Sequence, residues 1–179
     1  MVKKYIIIVV IIFALAMLAK KTHRQNAMNQ TPQEKQKDIL KALSDILSKY
    51  GRQAAETVEQ LFRLETAHFT SKQWQMANTP GMEIFSQNFP FGWTSLKKFT
   101  DKYGISPDKF SKYSIRENGT GIEKTFVVFP DAYTSMMFVA DLLDSRGWNG
   151  GSWYSTDPVK QENYRKKLNS ITPKLVNAL

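Results

Sequence analysis

The 179-residue chain contains no cysteine and only two histidines, His23 and His68. Without cysteine, the protein has no disulfide bond, no cysteine-ligated zinc site and no iron–sulfur cluster. Two histidines leave little for a histidine-based metal centre. Apolar residues make up 42% of the chain and aromatic residues 12%, which is too much for a disordered chain and enough for one packed core. The composition therefore predicts a single domain with no metal and no other cofactor.

Three common functional motifs are also absent. The glycine-rich segment 147–151 has neither the G-x-G-x-x-G spacing of dinucleotide sites nor the spacing of a P-loop. The chain has no Gly-x-Ser-x-Gly sequence, the turn that carries the nucleophile of α/β-hydrolases. The sequence therefore offers no motif for nucleotide binding or for serine hydrolase chemistry.

The positive charge of the chain is unevenly distributed. The net charge is +9, from 25 basic and 16 acidic side chains. Residues 1–24 contain five of the basic side chains and no acidic one, whereas residues 25–179 contain 20 basic and 16 acidic side chains. The smaller surplus of the second part is interspersed, and a nucleic-acid interface normally needs a denser basic face. We therefore predict no nucleic-acid partner.

The longest uncharged run lies near the N terminus. It extends from Tyr5 to Ala19 and is bracketed by two pairs of lysines. A membrane-spanning helix takes about 20 apolar residues, and flanking lysines lengthen the effective span. We predict a transmembrane anchor over residues 1–21, in contact with lipid through residues 5–19, and a polar linker over residues 22–30.

A cleaved signal peptide is the alternative for this segment. Such peptides share the basic start and an apolar stretch of about 7 to 15 residues. Ala14-Leu15-Ala16 fits the small-x-small cleavage pattern, but it lies inside the apolar run. At the end of the run, Met17 stands where a cleavage site needs a small residue.

The remaining residues, 31–179, are predicted to fold as one domain. Thr31-Pro32-Gln33-Glu34 reads as a capping box that starts a helix, and Gly51 ends that helix. Apolar side chains at helical spacing and local caps predict five more helices; they cover about 52–65, 71–76, 94–103, 131–146 and 157–175.

One hairpin interrupts the helical pattern. Tyr113 to Glu117 and Gly121 to Phe129 alternate as strands do, and Asn118-Gly119 between them readily adopts positive φ. Helices with one small hairpin are typical of an α+β domain that is mainly α.

Candidate chemistry lies around Glu65. This residue ends an apolar helix just before a polar and aromatic loop, and partial burial there would raise its pKa, as a general acid requires.

Three further features are candidates for a site. His68 is a candidate base or ligand, or a structural histidine. Asn78, with Gly81 and Met82, is a candidate groove wall or simply a turn. The aromatic loop Trp148, Trp153 and Tyr154 suits the apolar faces of sugar rings or the plugging of a core.

Four segments, in this order, resemble the glucosaminidase family of peptidoglycan hydrolases, a branch of the lysozyme-like superfamily that includes flagellar muramidase-type domains and many phage lysins. The four segments are Leu64-Glu65-Thr66, Asn78-Thr79-Pro80-Gly81-Met82, residues 126–133, and Tyr154-Ser155-Thr156-Asp157-Pro158 with the following Tyr164, Leu168 and Ile171. The resemblance implies a lysozyme-like helical domain with a small β-hairpin lobe. It also implies that Glu65 protonates the glycosidic oxygen, and it assigns substrate contacts to Asn78, Tyr133, Trp153, Tyr154 and Tyr164.

The chain departs from the family pattern at two places. Ala67-His68 stands where the family often has glycine, and Ile115 stands where several members have a second acid. Glu117 lies two residues after Ile115 on the same strand face, so Glu117 is the predicted second catalytic carboxylate. Glu123 on the partner strand is the reserve, and the substrate's own N-acetyl group is the third option.

The predicted function is a membrane-tethered peptidoglycan hydrolase that cleaves the β-1,4 bond between N-acetylglucosamine and N-acetylmuramic acid. Its partners would be glycan strands and a lipid membrane. Its domain would lie outside the cytoplasm, in a bacterial envelope or, as a phage lysin, in a membrane-containing virion. Endo-glucosaminidase, muramidase and lytic transglycosylase activities all stay open. The competing hypothesis is an inactive lysozyme-like protein that binds the wall or has a structural role.

Overall fold

The computed structural model describes residues 30–84, 89–90, 92–116 and 121–179. These residues form a mainly helical domain with one small antiparallel sheet, as the sequence predicts. The helices are α1 (Pro32–Tyr50), α2 (Arg52–Glu65), α3 (Lys72–Ala77), α4 (Thr94–Tyr103), α5 (Ala132–Asp144) and α6 (Pro158–Asn169). The strands are β1 (Ser111–Arg116) and β2 (Glu123–Val128), and short 3-10 turns cover Pro107–Lys109, Gly150–Trp153 and Val176–Ala178.

The first two helices have the predicted boundaries. The Thr31 side chain accepts a hydrogen bond from the Glu34 amide, and the Glu34 carboxylate accepts one from the Thr31 amide at 2.7 Å. This capping box satisfies amide groups that the first turn of a helix leaves free. Gly51, at φ +87°, ends α1, and α2 starts at the next residue. Helices α1 and α2 therefore pack side by side.

Helix α5 is the centre of the core. Nine of its thirteen residues are buried, which is typical of a helix that other elements surround. Phe138 contacts the rings of Trp93, Phe99 and Phe129 at centroid distances of 5.3 to 5.5 Å. These rings tie α5 to α4 and to the end of β2.

Three stretches of chain form the β lobe. Strands β1 and β2 pair from Ser111 with Val128 to Arg116 with Glu123, which confirms the hairpin; its predicted turn, Asn118-Gly119, lies outside the described residues. On the other edge of β2, the Ile84 amide donates to the Thr125 carbonyl at 2.7 Å. The Val127 amide donates to the Met82 carbonyl at 3.0 Å. Residues 82–84 therefore line β2 as a third, very short extended segment.

The last helix is shorter than predicted. Asp157 caps α6 as expected, with its carboxylate accepting from two amides of the first turn. The helix ends at Asn169, so Ile171 and Leu175 lie beyond it rather than on its apolar face. Pro173 has no amide hydrogen and disfavours helical conformation in the residue before it, so the chain cannot continue the helix there.

The chain after α6 is held by a buried carboxylate. Glu59 in α2 is fully buried and accepts hydrogen bonds from the Leu175 and Val176 amides at 2.8 to 3.0 Å. Its charge is balanced by Arg63 at 2.6 Å. The C-terminal segment is therefore fixed against the helix that ends in Glu65.

No helix in the described part of the chain is long and apolar enough to cross a bilayer. The predicted anchor, Tyr5 to Ala19, lies outside that part.

Candidate active site

Glu65 is the last residue of α2, and the chain turns away sharply after it. Thr66 is buried and its hydroxyl donates to the Phe62 carbonyl, which closes the helix. Ala67, His68 and Phe69 then have positive φ values of 48°, 57° and 69°. This conformation costs roughly 1 to 2 kcal/mol per residue for side chains with a Cβ atom. The strained turn directs the loop away from the end of α2, and His68 is exposed on it.

The Glu65 carboxyl group is half-buried and has one strong hydrogen-bond donor. The Tyr164 hydroxyl, from α6, donates to Oε1. On the other side, Gly81 is the neighbour of Oε2, because a Cβ atom at position 81 would lie 3.8 Å from that oxygen. Burial raises the pKa of Glu65, and the Tyr164 hydrogen bond and the charge of Lys167 act in the opposite direction. The net shift favours the protonated acid.

Glu65 lies in a cleft of about 650 Å³, which is within the usual range for ligand-binding pockets. One side of the cleft comes from the β lobe, through residues 81–84 and Lys124. The other side comes from Leu142 and Arg146 at the end of α5 and from Trp153 and Tyr154. The cleft therefore lies between the β lobe and the helical body, with Glu65 in its lining.

An aromatic pair stands beside Glu65. The Tyr154 ring stacks on the Tyr164 ring, with centroids 5.1 Å apart and planes 6° from parallel. Tyr154 is 62% exposed, so a ligand in the cleft can contact it. Trp153 lines the same wall. Such amphipathic aromatic surfaces suit the apolar faces of sugar rings.

The third aromatic residue of that loop has a different place. Trp148 packs against Tyr50 with a centroid distance of 5.0 Å, and its indole N–H donates to Asp144 at 3.1 Å. Trp148 is not one of the described residues that line the cleft. Its contacts are those of a residue that closes the core.

Two of the predicted substrate contacts lie away from the cleft. Asn78 is fully buried at the left-handed end of α3, and its amide nitrogen is 3.5 Å from the Phe129 carbonyl. Tyr133 donates to Asp45 at 2.8 Å and packs under the Lys41 ammonium at 4.2 Å from its ring centre. Both sets of contacts belong to packing between secondary-structure elements. The structure thus brings Glu65, Trp153 and Tyr154 together in the lining of the cleft, but not these two residues. Tyr164, the remaining predicted contact, is buried behind Glu65 and does not line the cleft itself.

The second carboxylate is the least predictable part of the site. Glu117 lies outside the described residues. Glu123, the reserve, is exposed opposite Arg116 and is not among the residues that line the cleft. Glu83 does line the cleft, and its Oε2 is 3.9 Å from the Lys124 ammonium. The sequence signal for Glu83 is its place directly after the Gly81-Met82 end of the loop motif.

Within the described part of the chain, no group of three or more histidine, cysteine, aspartate or glutamate side chains is placed to hold a metal ion. Comparison of the sequence with protein-family models, with curated proteins and with solved structures gives no match. The assignment of a function therefore depends on the cleft itself and on the motifs in the sequence.

Proposed function

We propose that the protein is a peptidoglycan hydrolase with a lysozyme-like fold, in which Glu65 is the general acid. The observation that carries this proposal is the half-buried Glu65 carboxyl in the lining of a cleft beside the exposed ring of Tyr154. The substrate would be the β-1,4-linked glycan of N-acetylglucosamine and N-acetylmuramic acid. The anchor predicted over residues 1–21 would hold the domain at the outer side of a membrane, in a bacterial envelope or a membrane-containing virion.

The chemistry follows from the surroundings of Glu65. Because the pKa of Glu65 is raised, the carboxyl group keeps its proton to higher pH than an exposed glutamate does. It can give this proton to the glycosidic oxygen as the bond to the sugar's anomeric carbon breaks. Tyr164 holds one carboxyl oxygen in place, so the other oxygen, next to Gly81, would be the one that gives the proton. Tyr154 and Trp153 would stack against the sugar rings.

The test is a peptidoglycan zymogram with the full chain and its Glu65→Gln variant. Gln has the shape of the acid but no proton to give, so we expect clearing by the wild type and a loss of roughly 10² to 10⁴-fold in the variant. Glu56→Gln is the matched control, because Glu56 lies earlier on α2 and pairs with Arg52 at 3.6 Å, outside the cleft lining. This control should keep wild-type activity.

The competing hypothesis of an inactive wall-binding protein makes the opposite prediction. A folded wild type that binds peptidoglycan and clears none of it would overturn the proposed enzyme. Mass spectrometry of released fragments then separates hydrolysis from transglycosylation, because only the second forms 1,6-anhydro ends.

A further inference from the structure

The cleft contains a second carboxylate that the sequence motifs do not assign. We propose that Glu83 is the general base of the reaction, which activates the water that attacks the anomeric carbon. This inference rests on the proposed function, since it adds a residue to the same cleft.

The backbone around Glu83 is held rigidly. The residues on either side of it are hydrogen-bonded to β2, through Met82 to Val127 and through Ile84 to Thr125. Glu83 itself forms a bridge with Phe126. A catalytic side chain needs such a fixed backbone, because small displacements of a reacting group greatly reduce the rate.

Glu83 also lies close to Glu65 along the cleft. Gly81 is next to Glu65: a Cβ atom at position 81 would lie 3.8 Å from Oε2 of the Glu65 carboxyl group. Glu83 follows two residues later, which places its Cα within about 7 Å of that of Gly81. Both carboxyl groups line the same cleft, so one glycan strand in the cleft would lie against both.

The two carboxyl groups have different surroundings. Glu65 is half-buried beside a neutral hydroxyl donor, Tyr164, whereas Glu83 is paired with the Lys124 ammonium at 3.9 Å. In enzymes that use two carboxyl groups, such a difference separates the protonated acid from the ionised partner. These surroundings suit Glu65 to the role of the acid and Glu83 to the role of the base.

The proposed step balances as follows. A water oxygen forms a bond to the anomeric carbon while its proton moves to the Glu83 carboxylate. The bond from that carbon to the glycosidic oxygen breaks, and its electron pair stays on the oxygen, which takes the proton of Glu65. Exchange with solvent returns both carboxyl groups to their starting states. A single displacement of this kind inverts the anomeric configuration.

The experiment uses the full chain and soluble peptidoglycan oligosaccharides as the substrate. Variants Glu83→Gln, Glu117→Gln and the control Glu56→Gln are compared by kcat, by KM and by the anomer that first appears in proton NMR. We expect inversion by the wild type and a loss of kcat of about 10² to 10⁴-fold for Glu83→Gln, with little change in KM. Azide, a nucleophile that needs no base, should restore turnover of this variant as a glycosyl azide.

Three outcomes would overturn the role of Glu83 and leave Glu65 as the acid of a glycan-cleaving enzyme, although the second of them would make that enzyme a transglycosylase. They are retention of configuration by the wild type, 1,6-anhydro products, or wild-type kcat in Glu83→Gln when Glu65→Gln is inactive. If Glu83→Gln fails to fold, Glu83→Asp replaces it, and its expected signature is a lowered kcat that azide raises. An inactive, folded wild type would instead overturn the proposed function, and Glu83's role with it.

Discussion

At the scale of single residues, the properties of Glu65 come from two separate parts of the chain. The end of an apolar helix places the carboxyl where it is partly removed from water, and this burial raises its pKa. Tyr164, 99 positions later, supplies the hydroxyl that fixes one of its oxygens. The first contribution is visible in the local sequence and the second depends on how α6 packs against α2.

Tyr164→Phe should therefore change the pH dependence of the reaction. The Tyr164 hydrogen bond favours the ionised form of Glu65, so removing the hydroxyl should raise the pKa of Glu65 further. A general acid works while it is protonated, so activity is present below this pKa and is lost as the pH rises through it. We expect the alkaline limb of kcat/KM to move to higher pH, and the maximal rate to fall about tenfold because the carboxyl is less well fixed.

The matched control is Tyr103→Phe, which also removes a tyrosine hydroxyl that donates to a carboxylate, at 3.0 Å from Asp141 and outside the cleft. Its pH profile should be that of the wild type. An alkaline limb at lower pH in Tyr164→Phe would contradict the assignment of Glu65 as the acid.

At the scale of elements, the aromatic wall of the cleft depends on a close approach between a turn and a helix. The 3-10 turn Gly150–Trp153 packs directly on α6. A Cβ atom at Gly151 would lie 2.5 Å from the Gln161 carbonyl oxygen, and one at Gly150 would lie 2.8 Å from Leu168. At position 151 only glycine fits, because the close atom belongs to the backbone of α6. This packing sets the position of Trp153 and Tyr154.

Gly151→Ala should consequently reduce both stability and activity. The added methyl group meets backbone on α6, so the turn has to move, and overpacking of this kind costs about 1 to 3 kcal/mol. Displacement of the aromatic wall should raise KM for glycan more than it lowers kcat. Urea unfolding and steady-state kinetics measure the two effects.

Substitution of a second glycine is the control that separates a general loss of stability from displacement of the aromatic wall. Gly104 ends α4 with φ +64°, and a Cβ atom there meets no described atom within 4 Å. Gly104→Ala should lose about 1 kcal/mol of stability from its backbone conformation alone, with unchanged KM. Equal KM values for the two variants would show that the close approach does not position the wall.

At the scale of the whole molecule, the positive charge is divided between the N-terminal segment and the rest of the chain. The basic residues within 1–24 flank the apolar run, and the milder surplus of residues 25–179 is spread over the rest of the chain. Lysines beside an apolar segment suit a membrane surface, and a diffuse positive charge would assist approach to an anionic cell wall. This division is consistent with the proposed tethered enzyme.

Membrane association should depend on the apolar run and not on the linker that follows it. We expect the full chain to fractionate with membranes, and the double variant Val10→Asp with Ile12→Asp to move to the soluble fraction, since a charge at the centre of a span costs about 2.5 to 3.5 kcal/mol. The double variant Gln25→Asp with Asn26→Asp adds the same charge in the predicted linker and should stay with membranes. A wild-type protein recovered from the soluble fraction without its first residues, by intact mass, would instead identify a cleaved signal peptide.

Much of the fold was predictable from the sequence because its signals are local. The capping box at Thr31, the glycine at position 51 and the apolar spacing in between act within a few residues of one another, and the helices they predict are present. The end of α6 was predicted too late because apolar side chains continued past the helix, although Pro173 prevents the helix from doing so.

The sequence by itself determined the mainly helical α+β class, the hairpin and the placing of Glu65 at a helix end. The tertiary structure decided which side chains share the cleft: it brings Tyr164 and Glu83 to the site and directs Asn78 and Tyr133 into packing contacts. The physical reason is the distance along the chain over which each interaction acts. Caps and periodicity act over one or two turns of backbone, whereas the cleft is formed by contacts between segments that only the packing of α2, α6 and the β lobe brings together.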